Sequence, residues 1–471
     1  MKIVMKFGGT SIADGKRIEQ VIDIVHENIR GKNKVILVIS ALAGVTDNII
    51  TAIGKALSGD QEAITRIIEK LKLDHHRLAK EVVKDEVVLD AVLLELNELV
   101  EEFKRVIFSV SYLREVTPRS RDNLLSFGEK LSASIICAAL KADALKVKWL
   151  SGGEAGIVTD DHFGAARPLM NITNQQVKER IGNLLDEGII PVVTGFIAYT
   201  QNDVTTTLGR SGSDYSATIL GAALDVNEVW IWKDVDGLMT ADPKIEPLAQ
   251  TIQRISYSEA MEMAYFGATV MHPKALEPVA EKNIPVRVKN AFNLKKPGTL
   301  VMEEKLVKLG DAVKSVAMIK DVALITVSGA GMVGTPGVAA RVFSILSENH
   351  VNILMISQGS SEANISFIVS RESSDRTVNT LEIALLGGDT VKDIISENDV
   401  CVVAAVGAGM KGIPGVAARV FKAVADVGVN VRMIAQGSSE LNISFVVQEE
   451  DSVKAVRALH REFRLDKSEI T

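Results

Sequence analysis

A lysine one residue ahead of two glycines, KFGGTS at 6–11, follows a short apolar run and precedes a helix expected from Asp14. A glycine pair such as Gly8-Gly9 lets the backbone approach a phosphate closely, and amides at a helix N-terminus then face the anion. Lys6 adds a point charge suited to transferring phosphoryl oxygens. The order differs from a Walker loop, where the lysine follows the glycines. A plain strand-to-helix turn with a surface lysine is the alternative.

The strongest local signal is TTTLGRSGSDYSATILGAAL at 205–224. Arg210 sits between glycines, and its planar fork suits a carboxylate. The backbone amides of Ser211, Gly212 and Ser213 are expected to point toward the same anion, as a nest. Asp214 either binds an ammonium group or caps the helix. A capped helix with a surface arginine leaves the cluster of Gly and Thr unexplained.

Weaker signals surround these two. VISALAGVTD at 38–47 ends an apolar run in small and hydroxyl residues, where open α/β sheets bind ligands. Ser40 and Thr46 there either donate to phosphate or carboxylate, or cap the next helix. LLSFGEKLSASIICAAL at 124–140 reads as a helix with Glu129 near its start. That carboxylate either holds a substrate ammonium group or is ordinary first-turn charge. WIWKDVDGLMTADPKI at 230–245 is rich in Asp, which suits turns, a nucleotide edge or magnesium. His272, before a proline, reads as structural.

The elements that must position these residues follow from hydrophobic pattern. From 1 to about 296, continuous apolar runs such as KVILVIS and IIPVVTGFIA alternate with amphipathic helices. Such runs fit an open, mostly parallel sheet covered by helices on both faces. The stretch 58–115, dense in Leu, Glu and Lys, reads as a helical insertion. The pattern breaks at 293–310, marking a domain boundary.

Beyond it lies an internal repeat. VSGAGMVGTPGVAARVF at 327–343 returns as AVGAGMKGIPGVAARVF at 405–421, and Gln358 returns as Gln436, a constant offset of 78 residues. Two small α+β modules (βαββαβ) are expected. The strand at 313–320 has a copy near 391, but no third copy closes the chain, so it is expected to close the second module. The expected domains are 1–300, 313–390 and 391–471.

Composition narrows the function. Of 471 residues, 47% are apolar, 24% charged and 4% aromatic, with a formal net charge of −7. An acidic, aromatic-poor chain gives no general attraction to nucleic acid or anionic membranes. No window is apolar for long enough to span a bilayer. Cys137 and Cys401 lie in apolar runs without metal-type spacing and read as buried free thiols in a reducing compartment. The N-terminal run is too short and broken for a signal peptide. The expectation is a cytoplasmic enzyme with no metal site of its own. HExxH, GxSxG and protein-kinase motifs are absent.

Together, KFGGTS, VISALAGVTD, SFGEKLSA, TLGRSGSDYSA, KDVDGLMTADP, FGATVMHP and KKPGTL resemble the aspartokinases of the amino-acid kinase superfamily. The C-terminal pair resembles ACT domains. The resemblance implies aspartate and MgATP as partners meeting end to end in an open α/β sandwich. Lys6, Gly8, Gly9 and Ser40 would contact phosphate. Thr46, Glu129, Arg210, Ser211, Gly212, Ser213 and Asp214 would surround aspartate. Lys6, Arg210 and Asp214 would be the catalytic set, and Lys233, Asp234, Lys244, Thr269 and Val270 would line the ATP site. The family often has Gly at the position of Ser211, Tyr at that of Met239 and Lys at that of Thr269. An amino-acid effector, threonine, would bind near Asn352, Gln358, Asn430 and Gln436, and the ACT modules would join chains into a homo-oligomer. Rival expectations are a sister kinase acting on glutamate, N-acetylglutamate or carbamate, and a sensor that kept only the kinase fold. A fusion to homoserine dehydrogenase would need a longer chain.

Overall fold

The computed structural model describes residues 1–266, 271–306 and 312–467. The chain divides into two compact units. The first comprises Met1–Leu238, Gln253–Tyr257 and Val270–Leu306, and the second Met239–Ile252, Ser258–Thr269 and Val307–Thr471. The described residues 239–252 and 258–266 thus pack with the second unit, although the expected catalytic domain runs unbroken from 1 to 300.

The first unit is built on an eight-stranded sheet. Its strands are β1 (Lys2–Phe7), β2 (Lys34–Ile39), β3 (Val147–Leu150), β5 (Ile190–Thr194), β8 (Glu228–Lys233), β9 (Arg254–Ser256), β10 (Val286–Asn290) and β11 (Thr299–Met302), in the order β3-β5-β2-β1-β8-β10-β11-β9. All neighbours are parallel except β10 and β11. After a charged first residue, β1 and β2 are buried throughout, and β8 is buried at Val229, Ile231 and Trp232, which explains their apolar runs. A small second sheet, β4 (Val158–Thr159), β6 (Ile197–Thr200) and β7 (Thr205–Thr207), lies beside it in sequence.

Helices α1 (Gly15–Arg30), α2 (Val45–Ser58), α3 (Gln61–Val82), α4 (Glu86–Leu113), α5 (Pro118–Ala142), α6 (Met170–Asp186) and α7 (Gly212–Ala223) complete this unit's long elements. The Leu/Glu/Lys-rich stretch forms α3 and α4. Its boundaries are chemical: the side chains of Asp60, Asp85 and Thr117 accept from the N–H of Ala63, Val88 and Ser120. Between α2 and α3, Gly59 adopts φ 77°, which a side chain would strain. Apolar faces of α1 to α5 share one core with β1 and β2. No helix among the described residues is long and apolar enough to cross a membrane.

After the turns of 239–252, the first helix of the second unit is α8 (Tyr257–Tyr265), of which residues 258–265 belong here. A short α9 (Glu277–Glu281) returns to the first unit. Then come β12 (Ser315–Ser328), α10 (Val338–Glu348), β13 (Met355–Gln358), β14 (Asn364–Ser370), α11 (Ser374–Leu385), β15 (Asp393–Val406), α12 (Val416–Asp426), β16 (Met433–Ala435), β17 (Asn442–Gln448) and α13 (Ser452–Glu462). The six strands form an antiparallel sheet in the order β13-β14-β12-β15-β17-β16. The long strands β12 and β15 pair along both halves, Ser315–Ile319 with Val402–Val406 and Leu324–Ser328 with Asp393–Glu397. Residues 322 and 400 are repeat equivalents and face each other, so a pseudo-twofold axis passes through that pair. Each repeat therefore borrows a strand from the other. Within this unit α8 is held by polar contacts: Glu259 to Lys314 (3.0 Å) and to the Ala408 N–H (2.7 Å), and Glu262 to Asn442.

Candidate functional site

Parallel pairing of β1 with β2 and β8 sets Phe7 beside Ile39 and Trp232, so three strand C-termini end at one level. Open α/β sheets bind ligands there. Lys6 is 5% and Asp214 2% exposed. Lys6 Nζ lies 2.7 Å from one Asp214 oxygen, and Lys233 Nζ lies 2.9 Å from the other. One carboxylate in the first turn of α7 thus joins the ends of β1 and β8. This pairing separates the two readings of Asp214: it bridges two lysines and caps nothing, since α7 has no side-chain cap.

Charge states follow from the surroundings. Burial alone would raise the Asp214 carboxyl, but Lys6 and Lys233 outweigh it and hold it below the ordinary carboxylate range. Burial pulls the Lys6 ammonium below the usual lysine range, against the attraction of Asp214. Glu129 is also buried, and burial pushes its carboxyl up to about 8, against the opposing Ala41 N–H and Lys6. Its Oε2 is fully enclosed and has no hydrogen-bond partner among the described residues. Such an orphaned acceptor is costly unless something donates to it.

The position of Glu129 corrects the expectation drawn from sequence. Helix α5 begins at Pro118, not near Leu124, so Glu129 lies in the helix interior and is not first-turn charge. The helix is pressed against the end of β2: a Cβ on Gly128 would stand 2.9 Å from the Ala41 methyl, and the Ser132 hydroxyl donates to the Ser40 carbonyl at 2.7 Å. Ser40 and Thr46 do not cap α2, whose N-cap is Gly44 with φ 79°. Both are partly exposed beside the same strand end.

The glycine pair has two distinct roles. A Cβ on Gly9 would lie 2.5 Å from the Ala41 carbonyl, so Gly9 is needed for packing of the two loops. A Cβ on Gly8 would meet nothing closer than Lys6 Nζ at 3.5 Å. The surface beside Lys6 is therefore open for close approach.

The Arg210 loop turns through left-handed residues, Gly209 at φ 76° and Ser211 at φ 57°. Serine is strained at the latter, which accounts for glycine being usual there. The Gly212 N–H donates to the Gly209 carbonyl at 2.9 Å, so the expected three-amide nest is reduced to the amides of Ser211 and Ser213. A Cβ on Gly195 would stand 2.5 Å from the Ser213 Cβ, a close approach that sequence reasoning missed. Arg210 is exposed and makes no hydrogen bond or ion pair with the described residues. Asp122, also missed, is fully buried and accepts three hydrogen bonds at the base of this loop. In sequence it looks like helix-start polarity in RSRDN; the Thr117-Pro118 start signal would have placed it inside the helix.

The remaining expected residues scatter. Asp234 is exposed just beyond β8, while Asn290 bonds Asp236 at 2.7 Å. Lys244 is exposed in an Asp242-Pro243 turn of the second unit, and Met239 belongs to that unit too. Thr269 and Val270 lie outside the described residues. His272 caps a short turn, its Nδ1 accepting from the Lys274 N–H. In the repeats, Gln358 ends β13 and Gln436 follows β16; both, with Asn352 and Asn430, are exposed and make no side-chain hydrogen bond among the described residues. Cys137 and Cys401 are buried free thiols.

Comparison with known proteins agrees with this architecture. The model of the amino acid kinase family matches residues 1–290, and that of an ACT domain matches 325–385 and 403–463. A chloroplastic bifunctional aspartokinase/homoserine dehydrogenase 2 of Arabidopsis thaliana is 35% identical over 99% of this chain and 51% of its own length. The chain thus spans about half the length of such bifunctional relatives. Chloroplastic aspartokinase 1 of the same plant is 34% identical over 98% of this chain and 80% of its own. Among solved structures, E. coli aspartokinase III in complex with aspartate and ADP superimposes with a TM-score of 0.82 at 27% identity, covering 98% of this chain and all of that one. The chain belongs to the amino acid kinase family, as an aspartokinase-type member with two C-terminal ACT domains.

Proposed function

We propose that this chain transfers the γ-phosphate of ATP to the side-chain carboxylate of L-aspartate, giving 4-phospho-L-aspartate. The observation that carries this reading is the buried Lys6–Asp214–Lys233 chain at the sheet's C-terminal edge, with the orphaned Glu129 carboxylate on α5. It gains support from E. coli aspartokinase III, solved with aspartate and ADP.

A carboxylate is ionised at neutral pH and needs no general base to attack phosphorus in line. Catalysis then rests on positioning and charge neutralisation. Lys6 neutralises the transferring phosphoryl oxygens, beside the open Gly8 backbone and Ser40. Lys233 and Asp234 border the nucleotide, with Lys244, Thr269 and Val270 as further contacts from the family pattern. Magnesium ordinarily arrives with the nucleotide phosphates and supplies further neutralisation. Glu129 takes the substrate ammonium group, Arg210 clamps a carboxylate, and Thr46, Ser211, Gly212 and Ser213 complete the wall. Asp214 serves by fixing both lysines.

We further assign 313–390 and 391–471 as ACT regions and 1–300 as the catalytic region. The effector is assigned as threonine. The GSSE carboxylates each accept one backbone N–H, Glu362 from Gly334 at 3.0 Å and Glu440 from Gly412 at 2.6 Å, and the segments NILMISQ and NVRMIAQ carry no carboxylate for the distal ammonium of lysine. The amides of Asn352, Gln358, Asn430 and Gln436 suit a small hydroxylated zwitterion. Exposed Ile356 and Ile434, at equivalent positions, fit contact between chains. E. coli aspartokinase III has been solved with lysine, which makes lysine the rival effector. Coupled measurement of ADP release with aspartate, glutamate, N-acetylglutamate and carbamate tests the substrate. Calorimetric titration with threonine and lysine tests the effector. Lysine binding without threonine heat would overturn the threonine assignment.

A further inference from the structure

Asp122 takes no part in the lysine–aspartate chain, yet it is a fully buried carboxylate with all its bonds directed at one place. Its Oδ2 accepts from the Thr207 N–H at 2.8 Å and the Gly164 N–H at 2.9 Å, and its Oδ1 accepts from the Thr207 hydroxyl at 2.9 Å. Thr207 ends β7, three positions before Arg210. Adjacent bonds continue the anchor: the Ala166 N–H donates to the Thr207 carbonyl at 2.9 Å and the Leu208 N–H to the Phe196 carbonyl at 3.0 Å. Beyond Leu208 the chain enters the left-handed turn. Arg210 itself has no partner among the described residues that would hold it. Its position is inherited from Thr207.

Asp122 and Glu129 are seven residues apart on α5, hence on one face of the helix and separated by about 10 Å along its axis. One rigid helix thus carries Glu129 and, two turns earlier, the anchor of the Arg210 loop. We propose that Asp122 is a positioning residue that sets the span between Glu129 and Arg210, so that α5 holds the ammonium and carboxylate subsites of the amino-acid substrate in register. The effect on substrate binding rests on the functional reading above; the anchoring does not.

The test is Asp122→Asn, which keeps the side-chain shape and loses the charge and one acceptor. The aspartate KM should rise on the order of 10- to 100-fold, as for loss of buried charge-assisted bonds, while kcat and the ATP KM stay near wild type. Hydrogen exchange of amides 208–214 should quicken while that of β1 stays unchanged. Thr207→Ser should behave as wild type, and Thr207→Val should shift KM in the same direction by less. A fall in kcat at unchanged aspartate KM, a parallel rise in both KM values, or unaltered exchange at 208–214 would overturn the proposal. If the wild-type chain does not turn over aspartate, the functional reading falls, and the exchange measurement still decides the anchor.

Discussion

Replacing Glu129 by Gln probes the buried carboxylate from two directions. With its carboxyl pushed up to about 8, Glu129 is protonated in most molecules at neutral pH. A substrate ammonium group needs the ionised form, so only about one-tenth of the free protein is competent at pH 7. Raising the pH from about 7 to 9 should therefore lower the aspartate KM about tenfold, with proton release on binding below pH 8. In Glu129→Gln the KM should be flat with pH, and kcat/KM at pH 8 should fall on the order of 10- to 100-fold. Stability should move the other way. Protonated Glu129 favours the folded chain, a contribution full below the unfolded value of 4.5 and lost as pH rises to about 8. That loss is on the order of 3–5 kcal/mol for so buried a group, and Gln escapes it. The variant's Tm advantage should be absent near pH 4 and reach several degrees near pH 9. Steady-state ADP release and thermal melts across this range provide the two readouts. A Glu129→Gln enzyme with wild-type KM and the same rising pH profile would refute the reasoning.

Three further outcomes are expected. Arg210→Ala should cost about 2–5 kcal/mol in kcat/KM for aspartate with no change in Tm, since the side chain is exposed and unpartnered before substrate binds; near-native kcat/KM would remove its assigned role. Lys6→Ala should lower kcat far more than it changes the aspartate KM, because the lysine meets charge developing in the transition state; a weaker aspartate KM with unchanged kcat would contradict this. Ending the chain near residue 310 should abolish effector inhibition and reduce solubility, because residues 258–265 lose Lys314, Ala408 N–H and Asn442 as partners of Glu259 and Glu262; a truncated, soluble enzyme still inhibited by the same amino acid would place the effector site elsewhere.

Legibility in the sequence followed the range of the interaction. The open, mostly parallel sheet could be read because its strands are continuous Val/Ile runs, and the two ACT modules because a constant 78-residue offset repeats them. KFGGTS and LGRSGSD announced themselves because the strained or crowded glycines are local. The Lys6–Asp214–Lys233 chain was not legible as a unit, since sheet order brings together three residues from separate strands and a helix. Glu129 was misread because polar RSRDN concealed six residues of helix before Leu124, and with them Asp122. The packing of 239–252 with the second unit carried no periodic signal at all: these residues form turns held by backbone bonds such as Val316 N–H to Thr240 O.

Hydroxylamine trapping tests the central claim most directly, because an acyl phosphate reacts to a hydroxamate whereas simple ATP hydrolysis leaves nothing to trap. With the purified chain, ATP and magnesium, aspartate should give hydroxamate in step with ADP, and glutamate should give little. ADP release without hydroxamate, or hydroxamate from glutamate in preference to aspartate, would contradict the account.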